Sequence, residues 1–109
     1  MDIGCGSGIS GSVLSENGHE WIGIDVSKWM LNIAIEREVD GDLFYADMGD
    51  GFGFRPGTFD GAISISALQW LCTAETKLDN PIKRIHKFFE SLYRVLVRGG
   101  RCVIFILKR

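Results

Sequence analysis

Long apolar runs and closely spaced cysteines are absent from this sequence, and their absence excludes several protein classes. No apolar run reaches the roughly 18 residues that a transmembrane helix needs, and no charged-then-apolar leader with a cleavage site is present. The sequence therefore predicts neither a membrane-spanning nor a secreted protein. The three cysteines, Cys5, Cys72 and Cys102, show no CxxC or Cys/His spacing, so we expect free thiols in a reducing compartment and no metal site.

A strong net charge is also lacking, which argues against a stand-alone nucleic-acid-binding protein. The 109 residues carry a formal net charge of −2. The charges are unevenly distributed, with 3 basic and 11 acidic side chains in residues 1–65 and 9 basic and 3 acidic ones in residues 66–109. This asymmetry indicates one acidic and one basic surface, unless the charges are individually solvated.

Short β-type segments alternate with helical segments along the whole chain, a pattern typical of a parallel α/β sheet. The length allows one domain with one modest core. We therefore predict a single domain over residues 1–109, with a Rossmann-like, mostly parallel sheet of about five strands and helices on both faces. The predicted strands cover residues 1–3, 21–24, 43–46, 59–65 and 101–107, and the predicted helices cover residues 10–17, 28–38 and 81–98.

Capping residues and apolar spacing define the two longer helices. Ser27 is a typical N-cap, Asn80-Pro81 is a typical helix start, and the last helix should stop at Gly99-Gly100. Residues 48–58 are rich in helix breakers and should form a loop, and a short helix or turn is expected near residues 67–72. In the helix predicted over residues 28–38, the side chains expected on the buried face are Met30, Leu31, Ala34 and Ile35. In the helix predicted over residues 81–98, they are Ile82, Ile85, Phe89, Leu92 and Leu96.

The most informative motif is D-I-G-C-G-S-G-I-S-G over residues 2–11, in which Gly4, Gly6 and Gly8 alternate with other residues directly after the first strand. Glycines permit a turn too tight for side chains, and the helix that follows offers its positive end to the polar groups of a ligand. A nucleotide-like cofactor lying against bare backbone is therefore expected at this turn. Asp2 can bind an ammonium group of such a ligand, directly or through water.

Polar residues also follow the other strands, at the edge where open α/β sheets bind ligands. Asp25 follows the second strand, Asp47 the third, and residues 64–66 the fourth. For an adenosine-type cofactor, the carboxylate of Asp25 can accept hydrogen bonds from both ribose hydroxyls, and Asp47 can accept one from the adenine amino group. The alternative is that Asp25 is an ordinary helix-capping residue and Asp47 an ordinary loop residue.

Residues 6–11 also match G-x-G-x-x-G, the dinucleotide-binding fingerprint, and Asp25 lies near its expected acidic position. A single match of this kind is weakly specific, so a nicotinamide-dependent oxidoreductase is a distant alternative. The carboxylate of Asp2 beside the glycine turn suits the ammonium of an amino acid better than a pyrophosphate. The D-x-G-x-G-x-G arrangement is typical of S-adenosylmethionine enzymes.

Together these motifs resemble class I S-adenosylmethionine-dependent methyltransferases, and more closely the eukaryotic small-subunit (18S) ribosomal RNA guanine-N7 methyltransferase family. The resemblance covers nearly the whole chain. It rests on residues 2–11, on residues 41–43 with 47–49, on residues 59–72 and on residues 84–100. Its most specific part is S-I-S-A-L-Q-W-L-C over residues 64–72.

This resemblance implies methyl transfer from S-adenosyl-L-methionine to a guanine N7 of ribosomal RNA during ribosome biogenesis, in the nucleus and, as a second compartment, the cytoplasm. Guanine N7 has a free lone pair, so no general base is expected, and positioning within roughly 3–3.5 Å should suffice. The residues implied to bind the cofactor are Asp2, Gly4, Cys5, Gly6, Gly8, Asp25, Val26, Asp47, Met48 and Ser64. Those implied to contact the substrate, with core packing as the alternative for the last two, are Ser66, Gln69 and Trp70.

The resemblance also implies two macromolecular partners. A small zinc-binding activator protein would pair with the sheet edge from Leu43 to Ala46, because an edge strand exposes unpaired backbone groups. The second partner would be the ribosomal RNA. Its phosphates, or solvent alone, would meet four basic side chains that share one helical face, Lys83, Lys87, Arg94 and Arg98.

Members of the resembling family have a helical lid before the glycine motif, a longer first strand, and further strands with a basic tail after the fifth. The present residues are therefore expected to form the cofactor-binding core of such an enzyme without those parts. Two other functions remain as alternatives to an enzyme that acts on ribosomal RNA. One is a small-molecule methyltransferase, and the other is a non-catalytic module that keeps only the activator-binding edge.

Overall fold

A computed structural model describes residues 1–68, 71 and 80–106 of the chain. In chain order its elements are β1 (Asp2–Ile3), α1 (Ile9–Glu16), β2 (Ile22–Asp25), α2 (Lys28–Glu36), β3 (Asp42–Tyr45), β4 (Phe59–Ile65), α3 (Pro81–Val95) and β5 (Leu96–Phe105). A short 3-10 turn, Met48–Asp50, lies in the loop predicted over residues 48–58. The short helix or turn expected near residues 67–72 falls largely outside the described residues.

The five strands form one parallel sheet in the order β3-β2-β1-β4-β5. Ile3 of β1 pairs with Ile24 of β2, and Asp2 of β1 pairs with Ile63 of β4. The chain runs outward from β1 in one direction and outward from β4 in the other, so the strand order reverses between these two strands. The predicted Rossmann-like fold is confirmed. In such sheets the ligand-binding crevice lies at the carboxyl ends of the strands where the order reverses.

Apolar side chains form two clusters against the sheet. In the larger cluster Ile3 and Ile24 pack against α3, whose Phe88 and Val95 have no exposed surface. The smaller cluster lies on the side of α1 and α2 and contains Cys5, Trp21 and Leu31. Because successive strand residues point to opposite faces, the neighbour of Ile24, which is Gly23, faces this second cluster.

The indole of Trp21 explains the last glycine of the opening motif. A methyl group at Gly11 or at Gly41 would overlap the atoms of this ring, and the indole Nε1 donates a hydrogen bond to Ser15 Oγ at 2.9 Å. Gly11 therefore allows α1 to pack closely over Trp21, and it is a packing position rather than a ligand contact.

Helix α3 begins as predicted, but it ends earlier. The side chain of Asn80 caps its first turn, which confirms the predicted start. The helix ends at Val95 and not at Gly99-Gly100, because Leu96 has extended backbone and already pairs with Phe59 of β4. The fifth strand therefore starts five residues before the predicted position at residue 101, and its first residues pass through an irregularity in the ladder.

The buried face of α3 also differs from the prediction. Leu92 is buried as predicted, but Ile82 and Phe89 are 81% and 44% exposed. Phe88 is buried instead of its neighbour Phe89, and its ring packs edge-to-face on Phe52 with 5.8 Å between the ring centroids. Phe52 lies in the loop after β3, so this contact joins residues distant in sequence. Spacing along the helix could not indicate it.

Helix α2 agrees better with its predicted pattern. The Oγ of Ser27 accepts a hydrogen bond from the backbone N–H of Met30 at 3.3 Å, which confirms the predicted N-cap. Leu31 and Ala34 are buried as predicted, whereas Ile35 is 62% exposed.

Within the described residues, no helix has both the length and the apolar character needed to cross a membrane. In the same residues, no group of three or more His, Cys, Asp or Glu side chains is arranged to hold a metal ion. Cys5 and Cys102 are free thiols, and Cys72 lies outside the described part of the chain.

Candidate functional site

The glycine turn after β1 has left-handed backbone at all three of its glycines, but the space that a side chain would find differs among them. The φ angles of Gly4, Gly6 and Gly8 are 75°, 54° and 86°. A methyl group at Gly4 would overlap the Cβ of Ala67, and one at Gly8 would lie 2.7 Å from Cγ1 of Val39. At Gly6 the nearest atom, 3.3 Å away, is the flexible end of a methionine side chain. Gly6, which is half-buried, therefore has the least crowded side-chain position of the three.

Helix α1 starts directly after this turn and presents backbone amides to the same edge. Its N-cap is Gly8, and no side chain caps the first turn. The first amides of a helix have no partner inside the helix and carry partial positive charge. The turn therefore combines the less crowded position at Gly6 with a location that favours a negatively charged ligand group.

The carboxylate of Asp25 fixes the glycine turn at Gly6. Its Oδ2 accepts a hydrogen bond from the backbone N–H of Gly6 at 2.8 Å, and its Oδ1 accepts one from the N–H of Ser27, also at 2.8 Å. Each oxygen keeps a second lone pair. Asp25 therefore holds the turn and has acceptor capacity left for ligand hydroxyls, while the neighbouring Val26 side chain is 60% exposed.

The carboxylate of Asp47 is held at the carboxyl end of β3 by a residue from another element. Both of its oxygens lie 2.7 Å from Nη2 of Arg84 in α3, and its Oδ1 also accepts from the N–H of Gly49 at 2.9 Å. Burial alone would raise the pKa of Asp47, but the hydrogen bonds from Arg84 and Gly49 outweigh burial and lower that pKa below its ordinary value. Asp47 is therefore an ionised acceptor beside half-buried Met48.

Arg84 is the functional candidate that reasoning from the sequence missed. It lies 37 residues from its partner Asp47, and nothing in its local spacing marks it. Its contacts with Asp47 and Asp50 also pair the basic half of the chain with the acidic half, so the two predicted surfaces are not fully segregated.

Asp2 lies beneath the glycine turn rather than on its surface. Its side chain has no exposed surface, and its Oδ2 accepts a hydrogen bond from Ser10 Oγ at 2.6 Å. Its Oδ1 is buried with no hydrogen-bond partner among the described residues. Direct contact with a ligand ammonium, one of the two predicted modes, therefore finds no support in this arrangement. Burial raises the pKa of Asp2.

This raised pKa predicts a pH-dependent stability difference for Asp2→Asn. Because the buried carboxylate is harder to ionise in the folded protein, its charge destabilises the fold at neutral pH, and the variant should have a higher free energy of unfolding there. The gain should shrink as the pH falls through the raised pKa towards the ordinary value of 3.8 and vanish below it. Denaturant titrations between about pH 3 and pH 8 measure this.

The exposed Asp60→Asn substitution is the control for that experiment, and it should change stability little at any pH. A gain that stays constant down to acid pH, or a loss at neutral pH, would contradict the account of Asp2.

The remaining residues predicted to contact the cofactor or the substrate differ in accessibility. The Cys5 thiol is buried, and burial raises its pKa to about 12, so only the backbone of this residue can serve a ligand. Ser64 is fully buried and its hydroxyl has no partner in the described part of the chain. Ser66 is half-buried with a left-handed φ of 57°, and its N–H donates to Phe105 O at 2.7 Å. Gln69 and Trp70 lie outside the described residues.

The four basic residues predicted on one helical face do not have equivalent surroundings. The guanidinium of Arg94 donates to the backbone carbonyls of Phe52 and Phe54, and so holds the loop after the 3-10 turn. Lys83 and Lys87 are exposed on α3. Arg98 is exposed too, but it lies in β5 because the helix ends at Val95, so the prediction that it shares the helical face is wrong. Arg94 is thus engaged within the fold.

Comparison with known proteins gives a consistent result. A model of the methyltransferase domain family matches residues 1–104. The chain is 60% identical over 104 residues to the probable 18S rRNA (guanine-N(7))-methyltransferase of Dictyostelium discoideum and to the 18S rRNA (guanine-N(7))-methyltransferase of Bos taurus. It is 52% identical over 104 residues to the 18S rRNA (guanine(1575)-N(7))-methyltransferase of Saccharomyces cerevisiae. These matches cover 94–95% of this chain but only 36%, 37% and 38% of the three relatives.

Solved structures resemble the fold over nearly the whole chain. A protein from Pyrococcus horikoshii superposes with a TM-score of 0.81 at 25% identity, covering 98% of this chain and 45% of that one. An S-adenosylmethionine-dependent methyltransferase from Mesorhizobium loti superposes with a TM-score of 0.76 at 26% identity, covering 94% of this chain and 44% of that one.

Proposed function

The chain belongs to the methyltransferase domain family, and from this premise we propose that it is the S-adenosylmethionine-binding core of an enzyme that methylates guanine N7 in small-subunit ribosomal RNA. The observation that carries the proposal is the identity of 52–60% with three 18S rRNA guanine-N7 methyltransferases over nearly all of this chain. The chain spans less than two fifths of the length of these relatives, so lid and substrate walls would come from other segments.

The residues at the sheet edge fit an adenosylmethionine. The less crowded position at Gly6 and the uncapped start of α1 suit the carboxylate of the methionine moiety. Asp25 has lone pairs left for the two ribose hydroxyls. Asp47 offers an ionised acceptor to the adenine amino group, with Val26 and Met48 as apolar neighbours of the ring. These groups follow β1, β2 and β3 in order, which matches the extended shape of the cofactor.

The buried carboxylate of Asp2 has a supporting role in this proposal. Its Oδ1 is a desolvated acceptor without a partner among the described residues, and it lies behind the turn that would hold the methionine end. A bridging water would satisfy this oxygen and relay its charge to the ligand ammonium. Family membership and this carboxylate together favour S-adenosylmethionine over a dinucleotide.

The chemistry requires little from the side chains of this chain. When bound, the cofactor supplies an electrophilic methyl group on a sulfonium. Guanine N7 bears no proton and has a free lone pair, so no general base has to remove a proton. The contribution of the chain is then to orient the ligand through Gly6, Asp25 and Asp47 so that the reacting atoms can align. The groups identified at the edge are acceptors and backbone donors, which suits this task.

The edge strand β3 is the proposed docking site of a small zinc-binding activator protein. β3 is the terminal strand of the sheet and pairs only with β2 among the described strands. Phe44 and Tyr45 of this strand are 45% and 60% exposed. Addition of a partner strand along residues 43–46 would satisfy the free backbone groups and cover these rings. In its proposed role in ribosome biogenesis, the protein would act in the nucleus, with the cytoplasm as a second compartment.

Calorimetric titration with S-adenosylhomocysteine tests the proposed cofactor, with NAD as the control ligand. We expect binding of S-adenosylhomocysteine alone. Methyl transfer to small-subunit ribosomal RNA is then measured with and without the activator. RNA transcribed with 7-deazaguanosine, which lacks the N7 atom, should accept no methyl group.

Each part of the proposal has its own contrary outcome. Binding of NAD alone would overturn the cofactor, and equal labelling of both RNAs would overturn the N7 target. Capture of the activator without any methyl transfer would favour the non-catalytic alternative. Transfer unaffected by an activator that does not bind would overturn the docking at β3.

A further inference from the structure

The adenine end of the proposed site contains an arginine that two carboxylates hold in place. The side chain of Arg84 comes from the first turns of α3, where its backbone N–H donates to the Asn80 carbonyl at 3.0 Å. Its Nη2 lies 2.7 Å from both oxygens of Asp47, and its Nη1 lies 3.4 Å from Oδ1 of Asp50. A guanidinium in this position is fixed at both ends, by the helix and by two carboxylates.

The backbone of Gly49 provides the surface on which this guanidinium lies. A methyl group at Gly49 would come within 2.5 Å of both Cζ and Nη2 of Arg84. Gly49 is buried although its neighbours Met48 and Asp50 are not. The planar group therefore lies against bare backbone between Asp47 and α3, where a lysine ammonium could not reproduce its contacts.

Counting lone pairs shows what this arrangement does to Asp47. Its Oδ1 accepts from Gly49 N–H and from Arg84, which uses both of its lone pairs. Its Oδ2 accepts only from Arg84 among the described residues, which leaves one lone pair. The carboxylate thus presents a single acceptor direction to a ligand, and Arg84 prevents it from rotating.

We propose that Arg84 is a positioning residue that orients Asp47 Oδ2 towards a 6-amino group, so that the site selects an adenine over a 6-oxo purine. The proposal rests on the proposed function, because it places the adenine of the cofactor at Asp47. An exocyclic amino group donates to the remaining lone pair. A 6-oxo group turns an acceptor towards the carboxylate, so the two oxygens repel each other and the remaining lone pair of Oδ2 stays unpaired beneath the purine that covers it.

Affinities for two ligands test the inference without requiring methyl transfer. S-adenosylhomocysteine and S-inosylhomocysteine, which differ at the 6-position of the purine, are titrated into wild type, Arg84→Lys and Arg94→Lys. Arg94 is the matched control because it lies on the same helix and also donates to the loop after β3. We expect wild type to prefer the adenosyl ligand about tenfold or more, from one charge-assisted hydrogen bond.

In Arg84→Lys this preference should fall close to one, because affinity for the adenosyl ligand drops while affinity for the inosyl ligand stays nearly constant. In Arg94→Lys the preference should equal that of wild type, whatever the change in stability. If a thermal unfolding measurement shows that Arg84→Lys is not folded, Arg84→Gln is used in its place, with the same expected loss of preference.

Two results would overturn the inference, and they differ from failure of the proposed function. Equal weakening of both ligands in the Arg84 variant would mean that Arg84 only stabilises the loop. An unchanged preference would mean that Asp47 is oriented without it. Absence of S-adenosylhomocysteine binding by wild type would instead overturn the proposed function, and this inference with it.

Discussion

An alanine at Gly4 is expected to lower the free energy of unfolding by about 2–5 kcal/mol, a large part of the stability of a domain of this size. Left-handed backbone costs a residue with a side chain about 1–2 kcal/mol, and φ at Gly4 is 75°. The new methyl group would also overlap the Cβ of Ala67, and overpacking in a tight site adds about 1–3 kcal/mol. Urea unfolding of the variant and of wild type measures the loss.

Gly18→Ala is the matched control for this prediction. Gly18 has almost the same backbone, with φ of 79°, but no atom lies within 4 Å of the position its Cβ would take. Its replacement should therefore cost only the part that is due to the backbone. Introducing Ala67→Gly together with Gly4→Ala should recover most of the remainder. Equal losses at Gly4 and Gly18, or no recovery in the double variant, would refute the close contact between Gly4 and Ala67.

Replacement of Asp25 by alanine is expected to weaken S-adenosylhomocysteine binding by about 1–3 kcal/mol, or roughly 5- to 150-fold. The carboxylate would accept from the ribose hydroxyls, and it also holds the N–H of Gly6 in place. The variant should therefore also lose about 1 kcal/mol of stability for each backbone hydrogen bond removed. Calorimetric titration gives the affinity, and denaturant unfolding gives the stability.

Asp42→Ala controls for the general effect of removing an acidic side chain. Asp42 is exposed at the start of β3, at the opposite end of the strands from the glycine turn, and its loss should change neither quantity by more than about 0.5 kcal/mol. A lower stability of Asp25→Ala with unchanged affinity would show that Asp25 serves the turn alone.

Reasoning from the sequence correctly predicted the structural features that depend mainly on residues close together in the chain, namely one strand, two helix caps and the glycine turn. The strand Phe59–Ile65 has the predicted bounds, because a segment that is apolar along most of its length is typical of a central strand. Ser27 and Asn80 cap helices as predicted, since an N-cap needs only its own side chain and the amides that follow. The glycines at residues 4, 6 and 8 indicated a tight turn, and the structure adds that all three have left-handed backbone.

Contacts between distant residues decided what those local signals left open. The glycines at residues 4, 6 and 8 look alike in the sequence. In the structure, Ala67 fills the side-chain position of Gly4 and Val39 fills that of Gly8, whereas the position at Gly6 is less crowded. The burial of Phe88 in place of Phe89 depends on Phe52.

The sequence by itself determined the class of fold, the order of strands and helices along the chain, and the edge of the sheet where a ligand would bind. These properties follow from short-range preferences of the backbone and from the strand-helix alternation. Only the tertiary structure decided that Asp2 lies beneath the turn and that Arg84 holds Asp47. Burial and ion pairing depend on which residues meet in space, and Arg84 and Asp47, which are 37 positions apart, meet only in the folded chain.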